Sequence, residues 1–393
     1  MDWAESCSGF RDTTPGSLSP IQDDPVEAAC FLSLIDFTPV LSVLLGYYCE
    51  GWRSRHPPEA MLRLVAYRMI KGFVHLSDLW RDVEARPEVA LRLGFTRVPS
   101  YGAIWHFINI RLGTEGFERI RVAVLRLVEE ACARHGSAWD GRVSVDATPM
   151  EALRGDREAA YNGYYRMLCY LVHKVVDCTS RLTLTWHVAP GDVDEGGLLA
   201  ALILKARSLG FKVKEAFMDN GYASPQNYAS LWLMGVKAWI GFRRRARRGW
   251  RGKLKTLRLR YRKMHRKGLL STKAIRPLRL DPKPERISLN KLLLALLLTG
   301  QHEYVGAYLR NLSLKAHRKL RKRWLKKYHS KRNMVEGSNG QQKTQLNLDR
   351  LSAKGLEKAK NHVSQVLLTE AIVAYGKVQH GTTSNLTRMA ELI

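Results

Sequence analysis

Acidic residues are scarce in this chain of 393 residues: 36 Asp and Glu face 64 Lys and Arg, leaving a net charge of +28. A protein this basic is expected to meet a polyanion, of which DNA and RNA are the commonest. Cysteine is sparse as well. Cys7, Cys30, Cys49, Cys132, Cys169 and Cys178 include no C-x-x-C pair, which argues against a disulfide framework or a zinc site and predicts reduced thiols. Long apolar runs are missing. The greasiest, Leu292 to Leu298, is far short of the roughly 20 residues a membrane span needs and reads as one buried face of a helix. The opening MDWAESCSGF is acidic and weakly apolar, unlike a signal peptide. What is present is a 45% hydrophobic complement, enough for a sizeable core. A cytoplasmic protein with no membrane partner is the expectation.

Residues 1–30 hold six acids and one base among Ser, Pro and Gly, the composition of a flexible acidic tail. From Phe31 to Gly136 helical periodicity dominates, and a helical DNA-binding domain is expected over 31–136. Pro58, with Glu59 in the first turn, marks a helix start. Leu76, Leu79 and Val83, then Phe117, Ile120, Val124, Leu127 and Val128, recur at helical spacing. Ser100 stands where a helix cap belongs. Arg63, Arg68, Lys71 and Arg111 on the polar faces suit duplex DNA, although solvated helices commonly carry such charges.

After Gly141 the period shortens to two. Arg142 to Asp146 alternates as a strand does, and strands are expected at Leu171 to Val176 and Leu182 to Val188 around the turn Asp177 to Ser180. Helix Leu198 to Leu209, strand Val213 to Met218, helix Pro225 to Met234 and strand Val236 to Phe242 follow. This order describes an α/β mixed sheet with flanking helices, the ribonuclease-H-like arrangement. The core is expected over 137–242 and 326–380, closing with an amphipathic helix from Leu356 to Tyr375 and a tail over 381–393.

Between these halves lies a basic inserted subdomain, 243–325. Residues 243–280 hold 17 Lys or Arg and no acid, and residues 310–332 hold 11 more, again with no acid. The charge excess is therefore localised. Arg243, Arg244, Arg245, Arg247 and Arg248 open the block as candidate contacts to a DNA backbone. Trp239 and Trp250 flank its start, where an aromatic ring can stack on an unpaired base, though core packing is the commoner use of Trp.

Two carboxylates follow apolar strand residues: Asp146 in Ser144-Val145-Asp146 and Asp219 in Phe217-Met218-Asp219-Asn220-Gly221-Tyr222. Strand ends are where α/β sheets build sites. Buried carboxylates need a partner, and a divalent cation is one they readily share. A single strand-end Asp more often caps a turn. Arg332, Glu336 and Lys343 are spaced to lie on one helix face, which places a carboxylate between two cations. A surface ion-pair ladder explains such spacing on its own.

Taken together, the three segments resemble the signatures of DDE transposases of prokaryotic insertion sequences, in the group named for a Tyr-Arg-Glu-Lys motif. Asp219, Gly221 and Tyr222 match its Asp-x-Gly-Tyr turn. Arg332, Glu336 and Lys343 match Arg-x3-Glu-x6-Lys, and Gly191 and Asp194 resemble the Gly and Asp that follow the third strand. Tyr328 departs from the pattern, with three residues before Arg332 instead of two. The likeness covers roughly residues 58–375. It implies that Asp146, Asp219 and Glu336 hold two Mg²⁺ (or Mn²⁺) ions for in-line phosphoryl displacement. It further implies that Tyr328, Arg332 and Lys343 contact double-stranded DNA, both terminal inverted repeats and target. A homodimer pairing two ends on the prokaryotic nucleoid is expected.

Other readings fit parts of the sequence. His329-x-x-Arg332 with Tyr375 43 residues on is similar to a tyrosine recombinase but leaves Asp146 and Asp219 without a role. A ribonuclease-H-like nuclease lacking strand transfer, or an inactive DNA-binding relic, shares the composition.

Overall fold

Apolar strand-forming runs after Gly141 and on either side of the Asp177 turn build the centre of the molecule, a mixed sheet. The computed structural model describes residues 24–48, 56–240 and 327–388. Helices come first: α1 Pro25–Ser33, α2 Thr38–Leu45, α3 Pro58–Ile70, α4 Leu76–Ala85, α5 Pro87–Arg92 and α6 Tyr101–His106. A π-helical turn, Phe107–Leu112, leads into the long α7, Gly113–Arg134. The sheet comprises β1 Arg142–Glu151, β2 Ala160–Asn162, β3 Met167–Asp177, β4 Thr183–Pro190, β5 Glu215–Met218 and β6 Lys237–Ile240. Between its strands lie α8 Glu195–Ser208 and α9 Pro225–Leu233. Helix α10 covers 327–346 and α11 is Leu356–Gln379.

Strand β1 is central. It pairs antiparallel with β3 and parallel with β5, which pairs parallel with β6. The outer edge of β3 is shared by β4 and, at its start, β2. The order β4-β3-β1-β5-β6 with antiparallel and parallel halves is a ribonuclease-H-like mixed sheet with helices on its flanks. Hairpin β3–β4 turns where it was expected: Asp177 Oδ2 accepts from the amides of Thr179 and Ser180 at 2.8 and 2.7 Å.

Helix α11 differs from expectation. It is buried on every side, including Ser364, Thr369, Glu370 and Lys377, rather than amphipathic. A helix buried all round needs cover on both sides: β3 and β4 lie on one, α3 and α7 on the other. Approach is close at Gly376, where a Cβ would stand 2.7 Å from the Phe31 ring. The N-terminal helices and the sheet therefore share one hydrophobic core. Arg63 and Arg68 serve that packing. Arg68 is buried and donates to the carbonyls of Phe73 and Val74 and to Gln365, and Arg63 donates to those of Leu32 and Ile35.

Ordered structure reaches into both segments expected to be tails. Helix α1 begins at Pro25 because Asp24 caps it, its Oδ1 accepting from Val26 N at 2.7 Å. Past 380, Leu386 and Thr387 are buried, and Thr387 donates to Gln341 at 2.6 Å. The basic block 243–325, including Arg243, Arg244, Arg245, Arg247, Arg248, Trp250 and the Leu292 run, lies outside the described residues. Among those described, Cys30, Cys132, Cys169 and Cys178 are unpaired, and no single helix is long and apolar enough to cross a membrane.

Candidate active site

Asp146 sits mid-strand, because β1 runs on to Glu151 instead of stopping at the carboxylate. The strand that does end here is β5. Its last pair with β1 is Val145 with Met218, so Asp146 and Asp219 occupy the next step, side by side where β5 gives way to a turn. Asp219 caps the 3₁₀ turn Asn220–Tyr222, accepting from Gly221 N at 2.7 Å. A Cβ on residue 221 would lie 2.9 Å from that same carboxylate oxygen. Glycine at this position therefore follows from the closeness of the Asp219 side chain. Tyr222 is fully buried, and its hydroxyl has no hydrogen-bond partner among the described residues.

Helix α10 brings the third carboxylate. Tyr328, Val335, Ser338, Gln342 and Leu346 form its buried stripe, and it is fastened to each strand that carries an aspartate. The Tyr328 hydroxyl donates to the carbonyl of Met218 at 2.8 Å, one residue before Asp219. Ser144, two residues before Asp146, donates to the Arg332 carbonyl at 3.0 Å. Deeper in, Lys174 donates to Gln342 Oε1, and Gln342 donates to Glu370 at 2.7 Å and to Thr183 and Ser338 at 3.1 Å. These buried bonds set the height of α10 above the sheet.

Glu336 lies at the exposed border of that stripe. Arg332 bridges it to β1: one guanidinium nitrogen is bonded to Glu336 and another is 4.0 Å from Asp146 Oδ2. Burial lifts the Asp146 carboxyl to about 6 against the pull of Arg332, and the charges of Asp219 and Glu336 push the same way. Burial works against the Arg332 charge, but Asp146 and Glu336 outweigh it and hold its pKa above the ordinary value. Lys343 is about 10 Å further along the helix axis, and the groups that act on it are Asp349 and Cys169.

A fourth acid belongs to this neighbourhood. Burial raises the Glu195 carboxyl to about 7, and Asp146, Asp219 and Asp194 add to the rise. Glu195 opens α8, whose cap is Asp194, accepting from Gly197 N at 3.0 Å. Gly191 is tightly enclosed: a Cβ there would lie 2.6 Å from the Ala160 carbonyl and 2.8 Å from Cys169 Sγ. Nothing in the sequence separates Glu195 from an ordinary first-turn acid.

These acids present only hard oxygen donors, beside an orphaned tyrosine hydroxyl. That donor set fits a divalent cation. Among the described residues, no three such side chains already converge to enclose an ion, and Arg332 links two of the acids. The other candidates are placed elsewhere. Trp239 is buried and stacks on Phe217 with centroids 5.4 Å apart, and Tyr375 is buried in α11.

Residues 140–369 match the transposase DDE domain. The chain belongs to that family. The matched segment spans β1 to α11 and contains all three carboxylates. Among curated proteins, none matches the chain. Transposases act on DNA, and members of this family generally use divalent metal ions.

Proposed function

We propose that this transposase acts by cut-and-paste chemistry and belongs to the group with the Tyr-Arg-Glu-Lys signature. The observation that carries the reading is the register of β1 and β5, which sets Asp146 beside Asp219, with Glu336 tied to Asp146 through Arg332.

Asp146, Asp219 and Glu336 would hold the divalent ions, two Mg²⁺ or Mn²⁺, which when bound activate the attacking oxygen and stabilise the leaving one. The chain's own residues do the rest. Arg332 offsets the charges of Asp146 and Glu336, and its guanidinium would be available to a DNA phosphate when the carboxylates hold the ions. Tyr328 holds the Asp219 turn against α10. Lys343 and the arginines at 243, 244, 245, 247 and 248 bind phosphates farther from the cut. Water attack frees a 3′ hydroxyl at the element's end, and that hydroxyl then attacks target DNA at the same site. Two ends must be paired, so the working form is a homodimer on double-stranded DNA, on the prokaryotic nucleoid.

The test is a cleavage and strand-transfer assay with the DNA that flanks the coding region. Asp146→Asn, Asp219→Asn and Glu336→Gln should each lower cleavage by roughly a thousand-fold or more, since such ions supply several kcal/mol, while DNA binding stays nearly intact. Full activity in any one variant would sink the assignment. Cleavage without joined products would show a nuclease instead.

A further inference from the structure

Glu195 opens α8 without capping it. A first-turn carboxylate ordinarily serves the free amides of its helix, but Asp194 fills that place, accepting from Gly197 N at 3.0 Å. Glu195 is half-buried, and no described residue donates a hydrogen bond to its carboxylate or pairs with it. Burial and the charges of Asp146, Asp219 and Asp194 all act against its ionised form, and nothing opposes them. Asp146 and Glu336 share Arg332, whereas Glu195 has no such partner. A carboxylate drawn partly out of water among like charges is costly unless a cation joins it.

The fold holds it in that place. Helix α8 packs on the 3₁₀ turn that Asp219 caps. Buried Asn227 is the clamp: its Nδ2 donates to the Tyr222 carbonyl at 3.0 Å, and a Cβ on Gly196 would come within 3.2 Å of the same nitrogen. The residue after Glu195 is thus fixed against the turn that carries the second aspartate.

Tyr222 supplies an independent observation. Its ring is fully buried, and its hydroxyl has no partner among the described residues. Glu195 is the charge that acts on this hydroxyl most strongly, followed by Asp146 and Asp219, so it faces the acids. A buried hydroxyl is rarely left unbonded, and a carboxylate turned to a bound cation beside it would give it an acceptor.

Resting on the function proposed above, we infer that Glu195 is a fourth acidic ligand of the divalent ions, on the α8 side of Asp146 and Asp219, with the Tyr222 hydroxyl donating to its carboxylate. The two aspartates then stand between a glutamate from α10 and one from α8, so that each ion has a carboxylate of its own beside the shared pair.

The test counts Mn²⁺, titrated alone into the full chain and followed by its electron paramagnetic resonance signal. The wild-type chain should take two ions. Glu195→Gln should take one, or bind the second roughly ten-fold or more weakly, and Tyr222→Phe should lower affinity roughly ten- to a hundred-fold. Asp192→Asn neutralises an exposed acid on the same segment and should leave both ions in place. Melting in EDTA tells a ligand from a structural residue. Without ions, Glu195→Gln should melt no lower than the wild type, because it removes a repelled charge, and it should gain less from added Mn²⁺. A lower melting point in EDTA with unchanged Mn²⁺ binding would overturn the inference. Equal losses in Asp192→Asn and Glu195→Gln would overturn it too, by reducing the effect to overall charge. Asp146→Asn and Asp219→Asn separate the two ideas. If they lose Mn²⁺ while Glu195→Gln binds as the wild type does, the fourth ligand alone is refuted. A wild-type chain that binds no Mn²⁺ refutes the ion reading beneath it as well.

Discussion

Lys174 stands directly across the β1–β3 ladder from Asp146, with its ammonium fully buried and bonded to Gln342 of α10. Burial draws the Lys174 pKa down to about 7, opposed by Glu370 and Asp146. The lysine thus joins the strand of the first carboxylate to the helix of the third. Lys174→Met removes one member of a buried charged network and should cost about 3 kcal/mol, read by urea denaturation. Adding Glu370→Gln removes the acid left behind, so the double variant should lose less than the sum of the singles. Strict additivity would show that the network does not act as a unit.

Tyr328 poses a sharper question, because the family resemblance implies a DNA contact and its hydroxyl donates to Met218. Tyr328→Phe should cost about 1 kcal/mol of stability and slow cleavage several-fold by loosening the Asp219 turn. DNA affinity, measured by fluorescence anisotropy, should stay constant. A weaker complex at unchanged stability would return Tyr328 to the DNA.

Much of this was legible in the sequence for physical reasons. Strands β3 to β6 announce themselves through runs of two-period or continuously apolar residues bounded by turn formers. The Asp219-Asn220-Gly221-Tyr222 turn has one economical geometry. Strand β2 was missed because three residues carry no period. Asp146 looked like a strand end because Ala147 to Met150 hold Thr148 and Pro149, yet the strand continues through them. Glu195 and Lys174 were invisible for a different reason. Their roles arise from pairing between segments far apart in sequence, and no local pattern records it. Arg68 misled in the same way: a cation at a polar-looking helix position turned out to be engaged by buried carbonyls.

The basic block accounts for the charge excess, so its effect should appear in salt dependence rather than chemistry. Replacing Arg243, Arg244, Arg245, Arg247 and Arg248 by Gln should flatten the slope of log affinity against log salt. The change should be about 0.9 for each arginine that meets a phosphate. An unaltered slope would make the block a solvated loop.

The last prediction concerns pH and lies on the opposite side of β3 from Lys174. His173 is fully buried, and neither ring nitrogen has a hydrogen-bond partner among the described residues. Burial lowers its pKa to about 4; His187 adds to the fall and Asp194 opposes it. Unfolded histidine titrates near 6.5, so between these values the unfolded chain binds the proton and the folded chain does not. The contribution of neutral His173 is complete above about pH 6.5 and is lost as pH falls toward 4. The loss should be on the order of 3 kcal/mol. In His173→Leu that part of the acid destabilisation should vanish, leaving a shallower decline in urea midpoint over the same window. A variant with the wild-type slope would mean that other groups, the buried carboxylates first among them, govern acid unfolding.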